Sequence, residues 1–283
     1  MTTNSTLARP APPAPRPRTP RTGTLLRSYG RPAAFVAAVL VLWWLLTSVT
    51  SSLPGYLVPS PGDTWAAFAD NLAYFGTNTW VTLVETVIGF VVAVVVGELV
   101  AVAMIYSTSF ERTLYPLVLF AQVIPKIAIA PLFVVWLGFG MTPKVVVAVL
   151  MAFFPVVISG LAGLKSVDPE VLELTSTMGA NPLKVFAKVR FPASLPQLFS
   201  GLKVAATLAV TGAVVGEFVG SNSGLGYVIL QANGNVDTAS LFVALIIMSL
   251  LGVALFALLQ VAERLVIPWH SSRRSSAGST VQL

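Results

Sequence analysis

Residues 79–106 read TWVTLVETVIGFVVAVVVGELVAVAMIY, and only Glu85 and Glu98 in this stretch carry charge. A helix rises about 1.5 Å per residue, and about 20 apolar residues cross the hydrocarbon of a bilayer. The stretch is long enough to span. It must do so as a helix, because lipid offers no hydrogen-bond partner to an open sheet edge. Five similar segments surround it: 33–53 without charge, 113–137 with Lys126, 145–164 without charge, 199–219 with Lys203 and Glu217 near its ends, and 239–261 without charge. The sequence therefore predicts an all-α polytopic membrane protein with six transmembrane helices.

Composition agrees with this reading. The chain has 283 residues, 55% of them hydrophobic and 10% charged, with a mean hydropathy of +0.83. A soluble domain carries roughly 25% charged residues, so a soluble enzyme is a poor fit. Cysteine is absent, which excludes disulfides, iron–sulfur clusters and thiolate zinc sites. The single histidine, His270, rules out a multi-histidine metal site and makes a Ser-His-Asp triad a poor candidate. No catalytic residues, metal site or cofactor are expected.

The net charge of +6 comes from 17 basic and 11 acidic residues, and its placement is uneven. Residues 1–31 hold Arg9, Arg16, Arg18, Arg21, Arg27 and Arg31 and no acid. This Pro- and Arg-rich stretch lacks hydrophobic periodicity and reads as a disordered tail, either a plain solvated extension or a weak attachment to anionic lipid. The apolar run behind it is too long for a signal-peptide core. With the N-terminus inside, the tail, Arg112, the 165–195 loop (Lys165, Lys184, Lys188, Arg190) and the C-terminal region (Arg264, Arg273, Arg274) place 14 basic residues in the cytoplasm. The outer loops hold only Lys144. That asymmetry is a strong positive-inside signal, and six spans put both termini in the cytoplasm. The basic pI is thus an orientation signal and implies no nucleic-acid surface.

Two loops carry structure of their own. In the external loop, residues 61–75 space Trp65, Phe68, Leu72 and Phe75 at roughly helical intervals. Two readings stand: a helix lying flat on the membrane surface, or a cap packed on the bundle. The cytoplasmic loop 165–195 reads as two short helices. Asp168 caps the first, Pro169 suits its first position, Glu170 favours its dipole, and Gly179 ends it. Asn181 and Pro182 begin the second, which carries Lys184 and Lys188 and is expected to stop before Pro192.

Within this loop, Glu173-Leu174-Thr175, then Gly179, then Val189-Arg190-Phe191-Pro192 resembles the EAA loop of ABC importer permeases. That family's pattern is Glu-Ala-Ala, three residues, Gly, nine residues, Ile-x-Leu-Pro. The Glu, Gly and Pro keep their spacing, while Leu174, Thr175, Val189 and Phe191 are mild departures. Leu57-Val58-Pro59-Ser60-Pro61 is similar to the external Pro-Ser-Pro segment of the nitrate/sulfonate/taurine branch. Pro125, Ala128, Pro131-Leu132, Trp136-Leu137-Gly138, Phe153-Phe154-Pro155, Gly216-Glu217-Phe218 and Gly224-Leu225-Gly226-Tyr227 also resemble that branch. The resemblance covers about 55–265.

It implies a MetI-like type I permease fold, with a permease domain over 32–268, a family core at 79–264 and a short tail at 269–283. It also implies the partners: a cytoplasmic ABC ATPase, an external solute-binding protein and a second permease copy, in the inner membrane of a prokaryote. The coupling-loop residues it points to are Glu170, Glu173, Leu174, Thr175, Gly179, Ala180, Phe191 and Pro192. Glu173 either contacts the ATPase or caps backbone inside the loop. The chain has no Gly-x-x-x-x-Gly-Lys-Ser/Thr loop, so ATP hydrolysis belongs to another polypeptide. The resemblance leaves nitrate, sulfonates such as taurine, thiamine-pyrimidine precursors and riboflavin as candidate solutes.

Charges inside spans are costly and should face protein or water. Lys203 can snorkel, and Glu85 and Glu217 lie near outer ends where water can reach them. Glu98 and Lys126 are deeper. Pro125 and Pro131 should kink the third span, and broken helices at membrane depth commonly line a path. Glu98, Pro125, Lys126, Pro131 and Glu217 are therefore candidate path residues, with Lys126 either facing the path or paired with Glu98 or Glu217. A secondary transporter is the rival class. It needs a coupling-ion site and leaves the 165–195 loop unexplained. An intramembrane enzyme lacks paired catalytic carboxylates.

Overall fold

The structure, a computed structural model, describes residues 23–49 and 57–268. Its regular elements are all helices, with no strand among the described residues. Two units separate at residue 53. The first contains α1 (Gly23–Trp44), whose last turns widen into a π-helical segment, Leu45–Val49. Helix therefore begins inside the stretch expected to be tail. The expectations for residues 1–22 and 269–283, His270 included, lie outside the described residues.

The second unit opens with α2 (Pro61–Asp70). Ser60 starts it as a capping box: its Oγ accepts the Asp63 N–H at 3.1 Å, and the Asp63 carboxylate accepts the Ser60 N–H at 3.2 Å. Helix breaks at Asn71 rather than running to Phe75, and α3 (Leu72–Tyr106) takes over. Phe68 of α2 packs with Phe75, Val228, Val243 and Ala244. The segment packs on the bundle through Phe68 and Phe75, while Trp65 and Leu72 remain exposed.

α3 is followed by α4 (Thr108–Val123) and α5 (Lys126–Leu137), which meet at 95°. The expected single third span, 113–137, is thus two helices. The cause is local. Pro125 has no N–H to donate and its ring drives Ile124 out of helical geometry, to φ −60°, ψ 130°. Pro131 sits inside α5 without ending it. Then come α6 (Met141–Leu164), α7 (Pro169–Thr177), α8 (Pro182–Val185), α9 (Phe191–Gly220), α10 (Leu225–Gly234) and α11 (Thr238–Val266).

α8 does not stop before Pro192. It runs through a π-helical turn, Phe186–Arg190, straight into α9, giving one helical stretch from Pro182 to Gly220. The wide turn interrupts the usual ladder where Pro192 cannot donate, so the proline fits the first turn of α9.

Among the described residues, four helical stretches are long and apolar enough to cross a membrane: α3, α6, Pro182–Gly220 and α11. The bent pair α4–α5 makes a fifth if counted as one span. α3, α6 and α9 form the centre of the unit. Small residues bring their backbones together, as membrane helices require when lipid removes the hydrophobic drive between them. A Cβ on Gly97 of α3 would lie 2.9 Å from Val156 of α6, and one on Gly212 of α9 would lie 2.7 Å from the Ala148 backbone. On the outer face of α3, Val87, Val91, Val95 and Leu99 stay exposed at four-residue spacing, a surface suited to lipid.

Candidate functional sites at the two ends of the helix bundle

The loop between α6 and α9 is fixed by its own backbone. Asp168 caps α7 by accepting the Glu170 N–H at 3.0 Å. At the other end the Ala180 N–H reaches the Thr175 carbonyl at 3.1 Å, and the Gly179 N–H reaches the Ser176 carbonyl at 3.0 Å. This paired closure is a Schellman motif, which demands a left-handed residue; Gly179 supplies it at φ +65°. Asn181 then caps α8 by accepting the Leu183 N–H at 2.9 Å. Thr175 and Ala180 are therefore joined by the turn itself.

The outer surface of this loop is apolar. Val171, Leu174 and Met178 fall at i, i+3 and i+7 on α7, and Leu174 and Met178 are 60% and 76% exposed. Leu183 of α8 is exposed as well. The carboxylate of Glu173 is exposed and caps no backbone group in the loop. Leu172 and Thr175 turn inward, lining a cavity of about 210 Å³ against Ile105, Tyr106 and Arg190. Phe186 stacks between Tyr106 and Phe191, with ring centroids 6.0 Å apart in each case.

The opposite end of α3, α6 and α9 holds a buried polar cluster that sequence reasoning only half found. Glu217 is 0% exposed, not wetted as expected, because α10 folds back over it. Its carboxylate accepts the Thr82 hydroxyl at 2.6 Å and the Gly226 N–H. Thr82 in turn accepts the Leu225 N–H at 2.8 Å, and Asn78 accepts the Gly224 N–H at 2.7 Å. The unsatisfied N–H groups that begin α10 are thus capped by side chains from two other helices, with a carboxylate at the positive end of the helix dipole. Gly226 is required by space: a Cβ there would come 2.8 Å from Glu217 Oε2.

Beside it, Glu85 (1% exposed) pairs with Lys144 (4% exposed). Lys144 was expected in an outer loop; it lies instead in the first turns of α6 and also donates to Ser221 Oγ at 3.0 Å. Burying an ion pair costs several kcal/mol per ion unless each partner is well bonded, which explains the ring of hydroxyls and amides around this one. Asn78, Thr82, Lys144 and Ser221 were the residues missed. The signal was present in α3, where Asn78, Thr82 and Glu85 follow i, i+4, i+7 on one face of an otherwise apolar helix. Glu85 and Lys144 form the floor of a hollow of about 740 Å³ whose walls include Trp80, Phe139 and Phe218.

The remaining candidates separate. Lys126 pairs with neither Glu98 nor Glu217. Its ammonium donates to the Gln122 carbonyl at 2.9 Å and lies 4.6 Å from the centre of the Phe154 ring. It thereby caps the last turn of α4 across the break at Pro125. Glu98 of α3 packs against Gly160 of α6, and neither of its buried oxygens has a hydrogen-bond partner. Pro131 lies inside α5. Lys203, expected only to snorkel, pairs with Glu263 and ties α9 to α11. Among the described residues, no three His, Cys, Asp or Glu side chains group closely enough to hold a metal ion.

Comparison with known proteins places this architecture. The model of the binding-protein-dependent transport system inner membrane component family matches residues 86–268. The formylaminopyrimidine transport permease protein ThiX of Halalkalibacterium halodurans is 36% identical over 252 residues, which cover 87% of this chain and 99% of that one. The riboflavin transport system permease protein RibX of Chloroflexus aurantiacus is 34% identical, covering 83% and 88%. The taurine transport system permease protein TauC of Escherichia coli is 26% identical, covering 83% and 88%. An inward-facing MetNI methionine ABC transporter superposes with a TM-score of 0.54 at 23% identity, over 65% of this chain and 94% of that one, so the fold is MetI-like. The chain belongs to the binding-protein-dependent inner membrane component family: it is the multi-pass permease of an ABC importer, non-catalytic itself, moving a solute that an external binding protein delivers while a separate subunit hydrolyses ATP.

Proposed function

We propose that two copies of this chain form the transmembrane half of the importer, each with six spans and both termini in the cytoplasm, and that α7 is the helix that docks into the ATPase. The observation carrying this reading is the exposed face of α7: Val171, Leu174 and Met178 form an apolar stripe beside the free carboxylate of Glu173, held rigidly by the Gly179 turn. An apolar stripe with one carboxylate suits a cleft with an apolar floor and a donor at its edge. Closure of the ATPase pair upon ATP would draw the two α7 helices together and switch the bundle between inward-open and outward-open states. Glu170, Thr175, Ala180, Phe191 and Pro192 shape this loop and its junction with α9, and Lys126, Pro125, Pro131, Glu98 and Glu217 belong to the helices that change position.

For the solute, those relatives whose names give one include carriers of nitrogen heterocycles, at 34–36% identity, and carriers of sulfonates and taurine, at 26–27%. That order favours a nitrogen heterocycle within the broader nitrate/sulfonate/taurine-type branch. Gly179→Val tests the docking loop. No atom lies near enough to clash with the new side chain, but the left-handed backbone costs a β-branched residue about 1–2 kcal/mol or more. ATP-driven uptake should vanish while the protein still reaches the membrane. If uptake and ATPase co-purification both survive, α7 is not the docking helix.

A further inference from the structure

We infer that the hollow above the Glu85–Lys144 pair receives the solute on its way into the permease, and that it selects an uncharged, planar, nitrogen-bearing ring over an anion. This rests on the importer reading above and adds a site to it. The hollow measures about 740 Å³, within the usual size range of small-molecule sites. It lies at the end of α3, α6 and α9 remote from the docking loop, where a solute from an external binding protein would arrive.

Its chemistry is two-layered. Trp80 and Phe139 are 66% and 84% exposed, and Phe218 of α9 adds a third ring. Three aromatic side chains around one opening offer faces for stacking a flat conjugated ring. The floor is ionic but offers no surplus positive charge. Lys144 is already held by Glu85 and by Ser221 Oγ at 3.0 Å, and Glu217 lies buried close behind with its own carboxylate. An ammonium already paired with a carboxylate leaves no free cation to hold a sulfonate or nitrate. The second Glu85 oxygen is buried below the hollow, and the polar group open to a solute is Asn222, exposed in the lining with an amide donor and a carbonyl acceptor. Ser221 is committed, giving its proton to the Ser223 carbonyl at 2.6 Å while accepting from Lys144. An uncharged ring that stacks on the aromatic walls and meets the Asn222 amide with its nitrogen-bearing edge matches this hollow; an anion does not.

The absence of cysteine makes the test direct, since Phe139→Cys introduces a single thiol at the mouth of the hollow. The permease would be purified with its ATPase and binding protein in lipid nanodiscs and labelled with a maleimide. Formylaminopyrimidine, riboflavin and an aliphatic sulfonate serve as probes. At least about tenfold slower labelling with one of the two heterocycles, and no slowing with the sulfonate, is expected. A second arm measures ATP-driven uptake by Trp80→Ala, where a rise in KM for the heterocycle of at least about tenfold with little change in kcat is expected. Protection by the sulfonate alone overturns the assignment. So does heterocycle uptake that proceeds with no protection of the thiol in Phe139→Cys and an unchanged KM in Trp80→Ala, a result that leaves the importer reading intact. Loss of ATPase co-purification from the unmodified permease would instead strike the importer reading itself.

Discussion

The two ends of the bundle use glycine, carboxylate and helix caps in opposite ways. At the α7 turn, Gly179 is needed for its backbone angle, and the space around it is empty. At the α10 turn, Gly226 is needed for its missing side chain, because the Glu217 carboxylate occupies that space. Glu173 points outward with no partner in the loop, whereas Glu217 is wholly enclosed and bonded to Thr82 and Gly226. One end is closed upon itself and the other leaves an apolar face exposed. The same residue types therefore hold the fold together at one end and present a surface at the other, and burial decides which.

The largest expected effect breaks the closed end. Glu217→Leu leaves the Gly226 N–H buried without an acceptor, at a cost of about 1–3 kcal/mol, and leaves the Thr82 hydroxyl only its longer bond to the Asn78 carbonyl at 3.2 Å. The expected outcome is little folded permease in the membrane by immunoblot, with partial recovery in Glu217→Gln; normal levels of Glu217→Leu would show that α10 is not held by this carboxylate. Gly179→Val should instead spare membrane levels and remove transport, which separates the open end from the closed one. Lys126→Met lies between them in position and below them in effect. It removes the cap on Gln122 across the α4–α5 break, and a fall in uptake of a fewfold, with wild-type protein levels, is expected. A drop to zero would place the ammonium on the path rather than at the break. Lys165→Met should do least. Its pair with Glu111 is nearly half exposed, and such pairs contribute about 0–1 kcal/mol, so uptake and the midpoint of thermal unfolding should hardly move.

The open end was legible because every signal in it is local. Asp168-Pro169, Gly179 and Asn181-Pro182 punctuate the chain within a few residues of where they act, and the observed caps involve those same residues. The closed end was not legible because its bonds join residues far apart in sequence. Asn78 meets Gly224 across 146 positions, and Thr82 meets Glu217 across 135. Nothing near Glu217 in sequence says that α10 will fold over it. Lys144 was misplaced for a similar reason: its neighbours Gly138, Gly140 and Pro143 read as loop, yet α6 begins at Met141 and draws the ammonium inside. At Pro125 the break was foreseeable from the missing N–H, but the 95° angle comes from where α4 and α5 pack.

The uninterrupted helical stretch from Pro182 to Gly220 connects these two ends physically. It has 39 residues, a length of roughly 58 Å at the rise of an α-helix. A strut of that length acts as a lever. Pivoting it by about 5° sweeps its far tip through roughly 5 Å, close to one helical turn. With a pivot near Pro182, a small rotation there would become a displacement of that size at Ser221, which accepts a hydrogen bond from Lys144. The π-helical turn at Phe186–Arg190 lies near the short arm, where a change of pitch would tune how much of the stroke is transmitted.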